Sequence, residues 1–126
     1  MKQKQRLASN LPTSSNPLAP RRPLIRSYDQ WIAPQPLPET ISRGFRLTLV
    51  RPGPGGWIDP EAVASAVRDD TLLVSVMHVN NETGVIQPLG EIAELLASSA
   101  VYFHCDAAQG FAKAPHLHER IDLISI

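Results

Sequence analysis

Two short, almost unbroken apolar runs, each ending abruptly in polar residues, restrict this chain more than any other feature. Residues 71–77 read Thr-Leu-Leu-Val-Ser-Val-Met and lead into His78, Val79, Asn80, Asn81, Glu82, Thr83 and Gly84. Residues 100–104 read Ala-Val-Tyr-Phe-His, with Asp106 just beyond. Runs this short and this apolar are expected of strands buried on both faces of a parallel sheet. Between them Pro88 opens a stretch whose apolar positions, Leu89, Ile92, Ala93, Leu95 and Leu96, fit a 3.6-residue repeat, as a helix packed on that sheet requires.

The alternation continues on both sides. Residues 45–50 alternate and are rich in β-formers, predicting a strand. Asp59, Pro60 and Glu61 predict a helix start: Asp59 can cap exposed amides, Pro60 suits the first helical position, and Glu61 meets the positive end of the helix dipole. Val63, Ala66 and Val67 then share a face, and the helix is expected to stop near Asp69 and Asp70. Residues 123–126 begin a last strand. This order argues for an α/β fold with a parallel sheet and right-handed crossover helices. Residues 51–56 hold Gly53, Gly55 and Gly56 but neither a Lys-Ser/Thr ending nor a GxGxxG spacing, so they read as a connection rather than a phosphate cradle.

Composition divides the chain near residue 44. Residues 1–43 hold seven basic residues against two acidic ones, and seven of the 12 prolines precede residue 39. Proline lacks an amide donor and clashes with the preceding helical turn, so this piece is expected to be extended and disordered, with no helix or strand of its own. It is basic and acid-free before Asp29, like a transit peptide, but its prolines spoil an amphipathic helix. Arg21, Arg22 and Arg26 are too few to predict nucleic-acid binding. Residues 44–126 carry the folded pattern.

The 126 residues suit one domain at most, and 43% apolar residues suffice for a core. No apolar run approaches the length of a membrane span, and no secretory signal is evident. A single cysteine, Cys105, excludes an intramolecular disulfide framework and fits a reducing, cytoplasmic compartment.

In parallel sheets ligands bind beyond the C-terminal strand ends. Asn80, Asn81 and Glu82 stand at one such end, and Asp106, Ala107, Ala108 and Gln109 at another; if the strands are neighbours, the two groups converge. A lone carboxylate after a buried strand is costly unless it meets a positive charge or donors. Asp106 therefore suggests a cationic ligand atom, such as the protonated ring nitrogen of pyridoxal phosphate. Gln109 or Asn81 could donate to that ring's phenolic oxygen, and alanine at 107 or 108 would let a flat ring approach. On spacing alone the residues favour, by about two to one, a reading in which Asp106 caps a following helix and Asn81 shapes a turn.

The run Leu73-Val-Ser-Val-Met-His-Val-Asn-Asn-Glu-Thr-Gly-Val-Ile-Gln-Pro88 resembles the signature of cysteine desulfurases, pyridoxal-phosphate enzymes of the class V aminotransferase family. Phe103-His-Cys-Asp-Ala-Ala-Gln109 resembles the family's H-x-D-A-x-Q element, and residues 121–126 resemble the segment leading to its Schiff-base lysine. The resemblance covers residues 44–126. It implies a slice of the large cofactor domain of a fold-type I enzyme, with four cofactor-binding positions. Asp106 would pair with the pyridinium nitrogen, Gln109 would hydrogen-bond the phenolic oxygen, Asn81 would orient the substrate carboxylate, and Ala108 would pack on a ring face. The implied reaction takes sulfur from L-cysteine, leaving L-alanine, and passes it through an enzyme persulfide to an acceptor or scaffold protein for iron–sulfur clusters or thiolated products. Family members are homodimers.

The pattern is incomplete. The family's S-G-H-K lysine follows the last matched segment, where this chain ends, and its persulfide cysteine lies later still. Lys113 matches a structural Gln-x-x-x-Lys position, and Cys105 reads as a small buried side chain. No catalytic residue is therefore expected among these residues, and weak or no cofactor binding and no turnover are expected of the chain by itself. Residues 1–43 lack the family's phosphate-binding residues and ring-stacking histidine, and suit a frameshifted or misassigned start. Two other readings stand beside this one: another class V enzyme such as a selenocysteine lyase, and a non-catalytic remnant or interaction module. A metal site from His78, His104, His116 and His118 is not expected, since no Cys/His spacing supports zinc and imidazoles in polar loops are usually solvated.

Overall fold

The computed structural model describes residues 24–27, 46–114 and 117–126. Their elements are β1 (Leu24–Ser27), β2 (Leu47–Val50), α1 (Pro60–Ala66), β3 (Leu73–Met77), α2 (Leu89–Leu95), β4 (Tyr102–Asp106) and β5 (Leu123–Ser125). The strands form one parallel sheet in the order β2-β1-β3-β4-β5. The parallel α/β class expected from the alternation is the class observed.

β1 corrects the reading of residues 1–43 as free of strand. Leu24–Ser27 pairs with β2 on one side and β3 on the other. No proline falls between Pro23 and Pro34, so all four amides of β1 can donate, and a central strand needs no more. The rest of the expectation for residues 1–43, and His116, lie outside the described residues.

Asp59 caps α1 as expected: its backbone is extended and its Oδ1 accepts from the Glu61 amide at 3.0 Å. The helix ends at Ala66, earlier than the acidic pair suggested, because Val67 is already extended. Thr71 then closes a turn, its Oγ1 accepting from Arg68 N at 2.9 Å and its amide donating to the Arg68 carbonyl. In α2, Leu89, Ile92 and Ala93 are buried and Leu96 follows them into the core. Leu95 does not join them; it is exposed, one position off the i, i+3, i+4, i+7 stripe.

β3 and β4 are each buried on one face only. Val74, Val76, Phe103 and Cys105 point into the core with Val63, Ile92 and Leu96 of the helical layer. Leu73, Ser75, Met77, Tyr102 and His104 on the opposite face are half-buried, which corrects the expectation of strands covered on both sides. Both described helices pack on the same side of the sheet, which leaves the other face to its own cross-strand pairs. One is a hydrogen bond between Ser75 Oγ and His104 Nδ1 at 2.8 Å, joining residues in direct register.

Candidate cofactor site

The C-terminal ends of β3 and β4 lie side by side. Met77 is in register with Asp106, and the next amide, that of His78, donates to the Asp106 carbonyl at 2.7 Å. Two polar loops leave from this point.

The first is a tight hairpin. Val79 and Ile86 form an antiparallel bridge, and the Gln87 amide returns to the His78 carbonyl at 2.9 Å. Asn80 builds the tip: its Oδ1 accepts from the amides of Glu82 and Thr83, both at 2.8 Å, and its carbonyl accepts from Gly84. Gly84 takes a φ of +73°, a region that disfavours a β-carbon. Asn80 is therefore buried as the loop's scaffold, which leaves Asn81 exposed, its Nδ2 donating to Glu82 Oε1 at 3.2 Å. Gln87 carries no signal in the sequence beyond its place before Pro88, yet it is 5% exposed and joins two segments. Its Oε1 accepts from Ile58 N at 2.8 Å and its Nε2 donates to the Gly56 carbonyl at 3.0 Å. The glycine-rich segment is thus a connection, tied back to this hairpin.

The second loop is a turn, not the capped helix that one reading of Asp106 allowed. The amides of Gly110 and Phe111 both donate to the Ala107 carbonyl, and those of Lys113 and Ala114 to the Gly110 carbonyl. Asp106 Oδ1 accepts from the Ala108 amide at 3.1 Å. Asp106, Ala108 and Gln109 are all exposed on this turn, while Ala107 and Gly110 are buried. The structure therefore brings three of the four expected positions onto one turn; Asn81 stands on the adjacent hairpin with its amide engaged by Glu82. It also corrects the physical reason offered for Asp106. The strand before it is buried but the carboxylate is not, so desolvation does not by itself demand a cation.

Two groups beside the turn are buried. Cys105 is a free, fully covered thiol, and burial, with the Asp106 charge second, pushes its pKa up to about 11. A thiol held neutral and covered is no sulfur nucleophile. His78 is only 4% exposed, contrary to the solvated imidazole expected, and burial lowers its pKa. Its Nδ1 has no hydrogen-bond partner among the described residues. His104 is bonded to Ser75, and His118, which lines the same cavity as His78, has its Nε2 3.1 Å from Glu94 Oε1. Among the described residues no three His, Cys, Asp or Glu side chains cluster as a metal site would need. A cavity of about 430 Å³ between the hairpin base, α2 and residues 117–118 is lined by His78, Gln87, Leu89 and Glu91, but not by Asn81, Asp106, Ala108 or Gln109. No described helix is long and apolar enough to cross a membrane.

The chain resembles known proteins over most of its length. Residues 16–125 match the family model described as aminotransferase class-V, a match that extends upstream of residue 44 into the proline-rich stretch. A cysteine desulfurase IscS from Anaeromyxobacter sp. (strain K) is 48% identical over 86 residues, covering 67% of this chain and 21% of that protein. The crystal structure of DndA from Streptomyces lividans superposes with a TM-score of 0.63 at 49% identity, over 72% of this chain and 26% of that one. A structure of SspA in complex with cysteine superposes with a TM-score of 0.70 at 34% identity, over 83% of this chain and 32% of that one. The chain spans about a fifth of the length of the curated relatives it matches.

Proposed function

The chain belongs to the class V aminotransferase family, whose members depend on pyridoxal phosphate, and from that premise we propose that its β3 and β4 ends form the ring-holding part of a cysteine desulfurase. The observation that carries this reading is the alignment of the two strand ends. The His78–Asp106 backbone bond puts the Asn80–Asn81 hairpin and the Asp106–Gln109 turn at the same edge of one parallel sheet.

The groups on that edge fit the cofactor ring. Asp106 offers an exposed carboxylate whose orientation is held by the Ala108 amide, suited to keeping a proton on the ring nitrogen. Ala108 offers a methyl group small enough for a flat ring to lie against. Gln109 offers an amide that can donate to the phenolic oxygen. When bound, pyridoxal phosphate supplies an electron-withdrawing ring that loosens bonds at the substrate's α-carbon. Asn81, on the hairpin beside it, would orient the carboxylate of L-cysteine. Cys105 would take no part in sulfur transfer, since its thiol stays covered and protonated. Delivery of sulfur to an acceptor protein, with pairing into a homodimer, belongs to the same reading and rests on the family.

Equilibrium dialysis of the full chain against pyridoxal phosphate tests the site. Ala108 is exposed, so Ala108→Leu should fold normally and lower cofactor retention by blocking the ring face. Retention by the native chain is expected to be weak; measurable retention that Ala108→Leu leaves unchanged would contradict the assignment.

A further inference from the structure

His78 touches the candidate turn from beneath. Its amide holds the Asp106 carbonyl, and its ring lies against Gly110, the residue that ends the segment carrying Ala108 and Gln109. The approach is so close that a β-carbon on Gly110 would run into Nδ1 of His78 and come within 2.8 Å of its Cγ and of Val79 Cγ2. Gly110 is buried and its carbonyl anchors the amides of Lys113 and Ala114, so the contact bears on the middle of a turn whose start is tied to β5 by the Ala107 amide and the Ser125 carbonyl.

We propose that His78, in its neutral form, is a positioning residue that seats the Asp106–Gly110 turn for the cofactor ring. This rests on the reading of that turn as the ring site. The ring of His78 fills the space under the glycine and makes no hydrogen bond through Nδ1 among the described residues, so the contact is one of shape. In the tautomer that carries its proton on Nε2, a second proton would go to Nδ1 and make it a charged donor with no acceptor among the described residues, facing a glycine α-carbon in a buried space. The turn is the lighter wall: it is a surface loop, while the other side of His78 is the base of the bridged hairpin. Protonation therefore lifts the turn and moves Ala108 and Gln109. The charged and titratable groups on the surrounding elements are His104, Cys105 and Asp106 on β4, Lys113 on the turn, Glu82 on the hairpin, Glu91 and Glu94 on α2, and His118, which lines the same cavity as His78. None of them is hydrogen-bonded to the imidazole among the described residues.

The test is an amide NMR titration of the full chain between pH 7.5 and 5, with and without pyridoxal phosphate at pH 7.5. In the cofactor-free chain, the amides of Ala108, Gln109 and Gly110 should shift together with the His78 ring carbons, with one shared midpoint below 6.5. In His78→Phe, which keeps a ring but cannot titrate, the shared shift should vanish. Gly110→Ala serves as a second variant: the added methyl meets the His78 ring, displaces the turn amides at pH 7.5 and diminishes the cofactor-induced shifts. Turn amides that titrate identically in His78→Phe, or stay still while His78 titrates, would overturn the proposal. Cofactor-induced shifts that are absent at pH 7.5 from a turn that does follow His78 would sink the ring site and leave the seat standing as a structural feature.

Discussion

The amide of His78 donates to the carbonyl of Asp106 across 2.7 Å, one residue past the last register pair of β3 and β4. This bond extends the sheet beyond its regular strands and locks together two loops that sequence separates by a whole helix. The His78 side chain, with that of Val79, also lies against Gly110 of the second loop. The predictions below follow from the groups gathered around it.

Stability should fall on acidification in a window set by His78. Burial lowers its folded pKa below the 6.5 of a free imidazole. The unfolded chain therefore binds the proton first, and the stability of the neutral form is present above about 6.5 and lost as pH falls through the lower folded value. Denaturant unfolding at pH 7.5 and 5 should show this loss, and His78→Phe should reduce it. An unchanged pH slope in the variant would remove His78 from the account.

Gln87 is predicted to hold the glycine-rich connection in place. Gln87→Leu leaves the buried Ile58 amide without its acceptor and the Gly56 carbonyl without its donor. The expected cost is about 1–3 kcal/mol, read as a shift in the urea midpoint. Hydrogen exchange should speed up at Ile58 specifically.

Cys105 should resist thiol reagents in the folded chain. Its thiol is covered, and a pKa pushed up to about 11 leaves almost no thiolate near neutrality. Labelling at pH 7.5 should be slow in buffer and fast in denaturant. Rapid labelling of the folded chain would contradict the buried placement.

Much of this fold was legible in the residues, for identifiable reasons. Asp59-Pro60-Glu61 fixed the start of α1 because capping is a local interaction, and Val74, Val76, Phe103 and Cys105 declared themselves because an apolar run flanked by turn residues has few other uses. β1 did not, because Leu24–Ser27 carries an arginine and a serine between prolines and becomes a strand only through two neighbours distant in sequence. Half-burial of Ser75 and His104 was hidden for the same reason: which face a helix covers is decided by tertiary packing. At the candidate site, Asp106, Ala108 and Gln109 were readable because they lie within one turn. Burial of His78 and Gln87 was not, since both are polar residues in polar surroundings and their roles come from the Gly110 and Gly56 backbones, far away along the chain.

The charge at position 106 is the centre of the functional account, and Asp106→Asn isolates it. The amide oxygen of asparagine can still accept from Ala108 N, so the turn should persist while the negative charge is lost. Titrating the full chain with pyridoxal phosphate and following the backbone amides should give shifts at Asp106, Ala108 and Gln109, weakened about tenfold in the variant, a loss of about 1.4 kcal/mol. Binding that is equally strong in Asp106→Asn, or shifts confined to residues away from the turn, would contradict the claim that this carboxylate faces the cofactor ring.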